Sequence, residues 1–192
     1  THGRKVMVLL AQLWLPILLS AVFVFVASSI LHMVIKAWHM PDSKGFSNQA
    51  EVSAAINKGN ASAGLYMIPY CTPEAMKDPA TQEMFKQGPV GVVFLRKPGP
   101  MNMGAFLGQW FAFCLVVSLA CALVAAHVIA EDRSFAHIFH VIGFVAFMAY
   151  SFGAIPDAIW WGHPWRSAIK HIVDGVIYGV ITGATFAWLW PA

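Results

Sequence analysis

Four stretches of this sequence are so long and so poor in charge that they restrict the chain to a membrane fold. Uncharged runs extend over Val6–Ile35, Met103–Ala130 and Ser134–Pro156, and a fourth apolar run begins near Ser167 and continues to Trp190. A helix needs about 20 apolar residues to cross the hydrocarbon core of a bilayer. Backbone groups in lipid must also be satisfied internally, which favours helices. The sequence therefore predicts an all-α integral membrane protein with four transmembrane helices.

The overall composition agrees with lipid as the surrounding medium. Hydrophobic residues make up 58% of the chain and charged residues only 11%, whereas a soluble domain carries about 25% charged residues. The net charge of +3 is not gathered into a basic run. A nucleic-acid partner would require a clustered basic surface, so the composition favours membrane lipid as a partner and argues against nucleic acid.

The segment between the first two apolar runs has a different character. It is rich in Lys, Glu, Asp, Asn, Gly and Pro. Its patterns predict two short helices and two short strands, at Asn48–Asn57, Gly64–Tyr70, Glu74–Lys86 and Val90–Leu95. The expected fold class is thus a four-helix membrane bundle with a small α+β extramembrane cap between helices 1 and 2.

The expected division of the chain follows from these runs. It places helix 1 in residues 1–36, the cap in 37–102 and helices 2–4 in 103–192. Arg4 and Lys5 precede the first span and favour an N-terminus inside, which puts the C-terminus inside and the cap outside, in a bacterial inner membrane. The cap side nevertheless holds nine of the 12 basic residues, and that count favours the opposite orientation.

Three glycines recur every fourth residue in the last span, at Gly175, Gly179 and Gly183. Small residues at this spacing allow two helix backbones in a membrane to approach closely. The ridge predicts tight packing against another span, against another subunit or through self-association. No phosphate loop, H-E-x-x-H or G-x-S-x-G motif accompanies it. The leading hypothesis is a non-catalytic subunit or accessory protein of a membrane complex, and the question of an enzyme is left open.

The same span carries a polar face. His171, Asp174 and Tyr178 follow at spacings of three and four residues, so they lie on one side of a helix. Lys170 precedes Asp174 by four residues, and we expect the two to pair. Ionisable residues in spans are costly and usually face a bundle interior or a wet cavity. This face is therefore a candidate functional site.

The corner before the last span adds further polar residues. With four alternating spans, this corner shares a membrane face with Asp174 and the cap. The complete candidate polar site comprises Asp157, His163, Arg166, Lys170, His171, Asp174 and Tyr178. A second hypothesis is a small ion- or solute-coupled transporter that uses Asp157, Asp174 and His171. An interfacial network of ion pairs would use the same residues.

Histidines raise a third hypothesis, a haem- or quinone-binding redox subunit. His32 and His171 fall toward the cap face, while His127 and His140 fall toward the other face on spans two and three. Paired histidines on neighbouring helices can hold haem by supplying its two axial ligands. The chain has no C-x-x-C-H attachment motif.

Copper is the other candidate cofactor. The histidines that could bind a metal are His32, His39, His127 and His140. Seven methionines lie in or beside the cap, together with His39 and Cys71, and thioether and thiolate ligands suit Cu(I). Their spacings do not repeat, and methionine also fills gaps in cores.

Overall fold

The computed structural model describes residues 10–129 and 134–191. This part of the chain is mostly helical and contains one small sheet. The helices are α1 (Trp14–Ser29), α2 (Lys36–His39), α3 (Gln49–Lys58), α4 (Pro79–Gln87), α5 (Met103–Val128), α6 (Phe135–Ser151), α7 (Ala154–Trp160) and α8 (Trp165–Trp188). The strands are β1 (Gly64–Ile68) and β2 (Gly91–Leu95).

Three helical segments are long and apolar enough to cross a membrane. They are Trp14–Val34, Met103–Val128 and Phe135–Trp160, of 21, 26 and 26 residues. They correspond to the first three predicted spans and are compatible with a membrane location. Helix α8 has 24 residues but is more polar, since it carries Arg166, Lys170 and Asp174. That α8 is a fourth span stays a prediction.

The glycine ridge of α8 packs against α6 of the same chain. A Cβ atom built on Gly179 would lie 2.7 Å from the carbonyl oxygen of Gly143, and one built on Gly183 would lie 2.6 Å from that of Phe139. At Gly175 the nearest side-chain atom would be 2.5 Å away. These approaches leave no space for a side chain, so α6 and α8 form the closest helix pair in the described structure.

Helix α1 completes the bundle by packing on both α5 and α8. The bundle interior is apolar and includes the fully buried Leu13, Ile142 and Phe186. Some of its polar groups pair across helices, as where the Ser20 hydroxyl of α1 donates to that of Ser118 in α5 at 3.0 Å. The packing therefore fixes the cap-side ends of α1 and α8 beside each other, where the candidate site lies.

The third span is interrupted one turn before a proline. The sequence predicts a continuous run over Ser134–Pro156, but α6 ends at Ser151 and α7 begins at Ala154. Pro156 has no N–H with which to bond the carbonyl of Phe152, and its ring clashes with that carbonyl in a regular helix. The break at Phe152 relieves this clash and directs α7 toward the corner that precedes α8.

The cap contains the predicted helices and strands, except that one predicted helix is divided in two. Strands β1 and β2 pair antiparallel, with Gly64 opposite Leu95. The predicted helix Glu74–Lys86 is instead a 3₁₀ turn followed by α4, because Pro79 forces the preceding residue out of the helical region. That residue, Asp78, is extended and its carboxylate accepts a hydrogen bond of 3.0 Å from the Ala80 N–H.

The cap has almost no interior of its own. Among residues 43–102, all of which the structure describes, only Thr81 is buried. A two-stranded sheet alone is marginally stable in water. The cap therefore serves as a cover on the ends of the long helices. The residues on which its predicted sidedness rests, Arg4, Lys5 and Arg133, lie outside the described residues, so sidedness stays a prediction.

Candidate metal centre

The end of α1 turns sharply and brings two histidines face to face. Residues Ile30–Val34 form a π turn, Ile35 leaves the helical region with φ −84° and ψ 70°, and α2 follows at once. π turns inside helices are frequent at functional sites. Here the rings of His32 and His39 stack with centroids 4.1 Å apart and planes inclined by 10°.

Asp174 is the buried anchor of the site. Only 1% of its surface is exposed, although it lies in α8 beside the end of α1. Its Oδ1 accepts a hydrogen bond of 2.8 Å from the Trp38 indole N–H, and its Oδ2 lies 2.6 Å from His39 Nε2. His32 Nε2 lies 3.9 Å from the same Oδ2. Both carboxylate oxygens are thus engaged by residues from the first span and its extension.

A second carboxylate stands behind His39. Asp42 Oδ2 lies 3.3 Å from His39 Nδ1. Its Oδ1 accepts a hydrogen bond of 2.6 Å from the ammonium group of Lys170, which also donates to the Trp38 carbonyl. The bond from Lys170 lowers the pKa of Asp42. Lys170 therefore pairs with Asp42. The spacing in the sequence predicts Asp174 as its partner instead.

The charges of this cluster do not balance without a further cation. Asp42 and Asp174 supply two carboxylates, and Lys170 is nearly buried and supplies one ammonium group. An uncompensated charge away from water is costly. A protonated imidazole or a bound metal cation would supply the missing positive charge.

His171 brings a third imidazole to the cluster. Its ring centroid lies 5.1 Å from that of His39 and 6.4 Å from that of His32. One ligand atom from each of His32, His39, His171 and Asp174 lies within 4.8 Å of all the others. Imidazole nitrogens suit zinc, copper, iron and nickel, whereas magnesium and calcium prefer oxygen ligands. The donor set therefore matches a first-row transition metal.

Hydrogen bonds orient the candidate ligands from behind. His32 Nδ1 lies 3.0 Å from the Ser28 carbonyl, which leaves Nε2 facing the cluster. His39 Nδ1 faces Asp42, and the indole N–H of Trp38 donates to Oδ1 of Asp174. Metal-binding histidines typically donate their second N–H to a carboxylate or carbonyl in this way. In such a site the ion would replace the His39–Asp174 hydrogen bond.

The cluster opens on two cavities. The larger, of about 840 Å³, lies between the cap sheet and the corner from α7 to α8, with His32, His39 and His171 among its lining residues. A second pocket of about 360 Å³ lies between the cap-side ends of α1 and α5, and it also touches His32 and His171. The three histidines of the cluster are therefore accessible to molecules bound in these cavities, whereas Asp174 lies behind them.

Comparisons with protein-family models, with curated proteins and with solved structures were made for the whole chain. No match was found. The function has to be argued from the geometry of this site.

The structure brings together only some residues of the predicted polar site. Lys170, His171 and Asp174 lie in the cluster, and the exposed His163 lines the larger cavity. Asp157 and Arg166 are also exposed, and neither belongs to the group of potential metal ligands in the described part of the chain.

Tyr178 lies one turn farther along α8, away from the polar cluster. It packs in an apolar group with Val24 and Cys114. Its buried hydroxyl has no hydrogen-bond partner among the described residues. Tyr178 lies four residues after Asp174 and therefore on the same side of α8. Between these two residues the surroundings of the helix change from polar to apolar.

The cluster geometry also bears on the haem hypothesis. His39 and Asp174 lie so close to His32 and His171 that they occupy the space a porphyrin plane would need between those two rings. On the other face, His127 Nδ1 lies 2.7 Å from the Leu123 carbonyl of its own helix. A single metal ion fits the cap-side cluster better than haem does.

Proposed function

We propose that this protein is an integral membrane metalloprotein in which His32, His39, His171 and Asp174 bind one first-row transition-metal ion. The observation that supports this proposal is the convergence of four ligand atoms from α8, α2 and the end of α1 within 4.8 Å. Ionisable residues within a membrane span are rare and mostly functional, and His32 lies within the first candidate span. The hydrogen bonds behind His32, His39 and Asp174 are those that a metal site requires.

We further propose that the metal acts on a bound molecule and does not only stabilise the fold. Four protein ligands fill a tetrahedral zinc site, so a bound molecule would need a fifth position, which zinc can adopt in catalytic sites and which metals of tetragonal or octahedral geometry provide. Two of the four ligands here, His32 and His171, are exposed, and both face cavities. The proposed activity is metal-dependent chemistry, with the ion as Lewis acid or redox centre, on a molecule bound in a cavity that these two histidines line.

The proposed topology has α8 as the fourth span. Its 24 residues are sufficient to cross the hydrocarbon core, and it packs along α6 over most of its length. Its charged residues lie in the first ten positions, next to the cap. The apolar remainder, residues 175–188, is about 21 Å long, so a fourth crossing of a hydrocarbon core about 30 Å thick would place Asp174, which is buried in the protein, within the edge of that core.

The two other hypotheses have less support. The non-catalytic subunit was suggested by the glycine ridge of α8, but that ridge contacts α6 in the same chain, so it does not call for a partner. The transporter required Asp157, which is exposed and outside the cluster of potential ligands. The redox hypothesis is retained in the form of a metal ion in place of haem.

The proposal is tested by metal analysis of the purified protein. Wild-type protein in detergent or nanodiscs should bind one Zn²⁺, Fe²⁺ or Cu²⁺ ion per chain, measured by mass spectrometry of the elements and by titration calorimetry. His171→Ala should weaken binding at least 100-fold. His163→Ala is a matched control, because His163 is also exposed and lines the same cavity outside the cluster, and it should bind as the wild type does.

Two results would refute the proposal. One is a folded wild-type protein that takes up none of these ions at micromolar concentrations. The other is a bound ion whose affinity is lowered equally by His171→Ala and His163→Ala, since this would place the ion elsewhere in the cavity.

A further inference from the structure

The smaller pocket beside the metal cluster differs chemically from the cavity under the cap. Its walls are formed by residues of two helices that are apolar enough to span a membrane, together with His171. Apart from the two histidines, its lining consists of Ser28, Ser29, Met33, Met103, Phe106, Leu107 and Trp110. The Ser28 hydroxyl is already occupied, because it accepts a hydrogen bond of 2.7 Å from Trp110 and donates to the Phe25 carbonyl. The pocket is therefore suited to hydrocarbon.

The position of this pocket gives it access to the bilayer. Its walls come from the last turns of the first span and the first two turns of the second. Met33, Met103 and Phe106 have exposed side chains. With α1 and α5 as membrane spans, molecules dissolved in the lipid would reach a pocket between their ends. The cavity under the cap has a more polar lining and opens on the other side of the same histidines.

We infer that the molecule on which the metal acts is a membrane-dissolved amphiphile that enters between α1 and α5. Its hydrocarbon part would occupy the apolar pocket, and its oxygen-bearing head group, a hydroxyl, carbonyl or carboxylate, would reach the metal from the side of the pocket that His32 and His171 line. This inference rests on the proposed metal site. It adds the class of substrate and the direction from which the substrate arrives.

The chemistry of the head group follows from the two histidines that line both cavities. His32 and His171 border both cavities, so a metal that they bind would lie at the edge of the apolar pocket. An oxygen atom is the group that a metal ion polarises as a Lewis acid. A fully apolar molecule would fill the pocket without any interaction with the metal, and a fully polar one would not leave water for it.

The experiment uses spin-labelled stearate as the probe, because its carboxylate is a simple oxygen head group on a long chain. Wild-type protein in nanodiscs is mixed with stearate that carries a nitroxide either near the carboxylate or near the methyl end. Electron paramagnetic resonance first measures the immobilised fraction in metal-free protein, which reports occupancy of the pocket. The protein is then loaded with paramagnetic Co²⁺ or, for comparison, diamagnetic Zn²⁺.

The expected result has two parts. Both labelled stearates are immobilised by metal-free protein, and Co²⁺ broadens the signal of the label near the carboxylate more than that of the label near the methyl end. Leu107→Trp, which fills the pocket, should weaken stearate binding at least tenfold while Co²⁺ still binds. Val116→Trp is the control, since Val116 is an exposed residue of α5 outside the pocket, and it should behave as the wild type does.

Separate readouts distinguish the possible failures. If Co²⁺ binds but stearate is not immobilised, or if Leu107→Trp and Val116→Trp act alike, the inference is wrong while the metal site stands. Equal broadening of both labels would also overturn it, since the head group would then not lie at the metal. If the protein binds neither Co²⁺ nor any of Zn²⁺, Fe²⁺ and Cu²⁺, the proposed function fails, and the substrate inference fails with it.

Discussion

Trp38 has a role in the structure that its position in the sequence does not show. At the end of an apolar run, a tryptophan is typical of the aromatic belt at a membrane boundary. In the structure its indole N–H points inward and donates to Asp174. Its carbonyl accepts a hydrogen bond from Lys170, and the Lys170 ammonium lies 5.6 Å from its ring centroid. Trp38 therefore positions two charged residues of the last helix.

We predict that Trp38→Phe weakens metal binding about 10- to 100-fold, which is the usual cost of losing an outer hydrogen bond to a metal ligand. The substitution keeps an aromatic ring but removes the N–H that holds Asp174 Oδ1. Titration calorimetry with Zn²⁺ measures the effect. Trp165→Phe, at an exposed tryptophan that begins α8, should leave the affinity unchanged, and equal losses in both variants would count against a role for the indole N–H.

The sequence predicted that ionisable residues of α8 gather on one side, but it did not predict their partners. Spacing within a helix reports only on neighbours along that helix. It suggested Lys170 as the partner of Asp174, whereas the structure pairs Lys170 with Asp42, more than 100 residues away in the chain. Asp42 and Trp38 follow the first span closely in the sequence, and only the packing of α1 on α8 brings them to the site.

At the level of elements, the decisive feature is the irregular end of α1. His39 lies seven positions after His32, which on a regular helix would place the two residues two turns, or about 10 Å, apart along the axis. The π turn and the non-helical Ile35 shorten this separation until the rings stack at 4.1 Å. No proline or glycine marks this turn in the sequence, so hydropathy alone predicts a regular helix through it.

The close packing of α6 and α8 leads to a prediction about stability. Gly179→Ala should destabilise the bundle by about 1–3 kcal/mol, the usual range for overpacking, because the added methyl group would meet the Gly143 carbonyl at 2.7 Å and the Phe147 side chain at 3.0 Å. Both neighbours are held by helix α6 and cannot move independently. Reversible unfolding of the detergent-solubilised protein by a denaturing detergent measures the difference.

Gly108→Ala is the matched control for this prediction. Gly108 also lies in a long apolar helix, α5, but a Cβ atom there would have no neighbour within 4 Å. The variant should unfold at the same denaturant concentration as the wild type or slightly higher, since alanine favours helix over glycine. If Gly108→Ala and Gly179→Ala are equally stable, the close contact between α6 and α8 is not present in the protein.

On the scale of the whole molecule, the apolar runs predicted the arrangement of the long helices and the small cap with its two strands. The helix breaks at Phe152 and Asp78 were missed, although the prolines that cause them are visible in the sequence. The same alternating arrangement placed His32, His171 and Asp174 on one face. It did not show that these residues meet in a single cluster, because that depends on how far α1 and α8 are offset along their axes.

The central claim is that segments separated by more than 100 residues bind one metal ion beneath the cap. X-ray absorption at the zinc edge of the Zn²⁺-loaded protein tests this most directly. The account predicts nitrogen and oxygen ligands at about 2.0–2.2 Å, with the scattering of three imidazole rings, one of which is lost in His39→Gln. A spectrum with sulfur ligands, or with the same number of imidazole rings in the wild type and in His39→Gln, would contradict it.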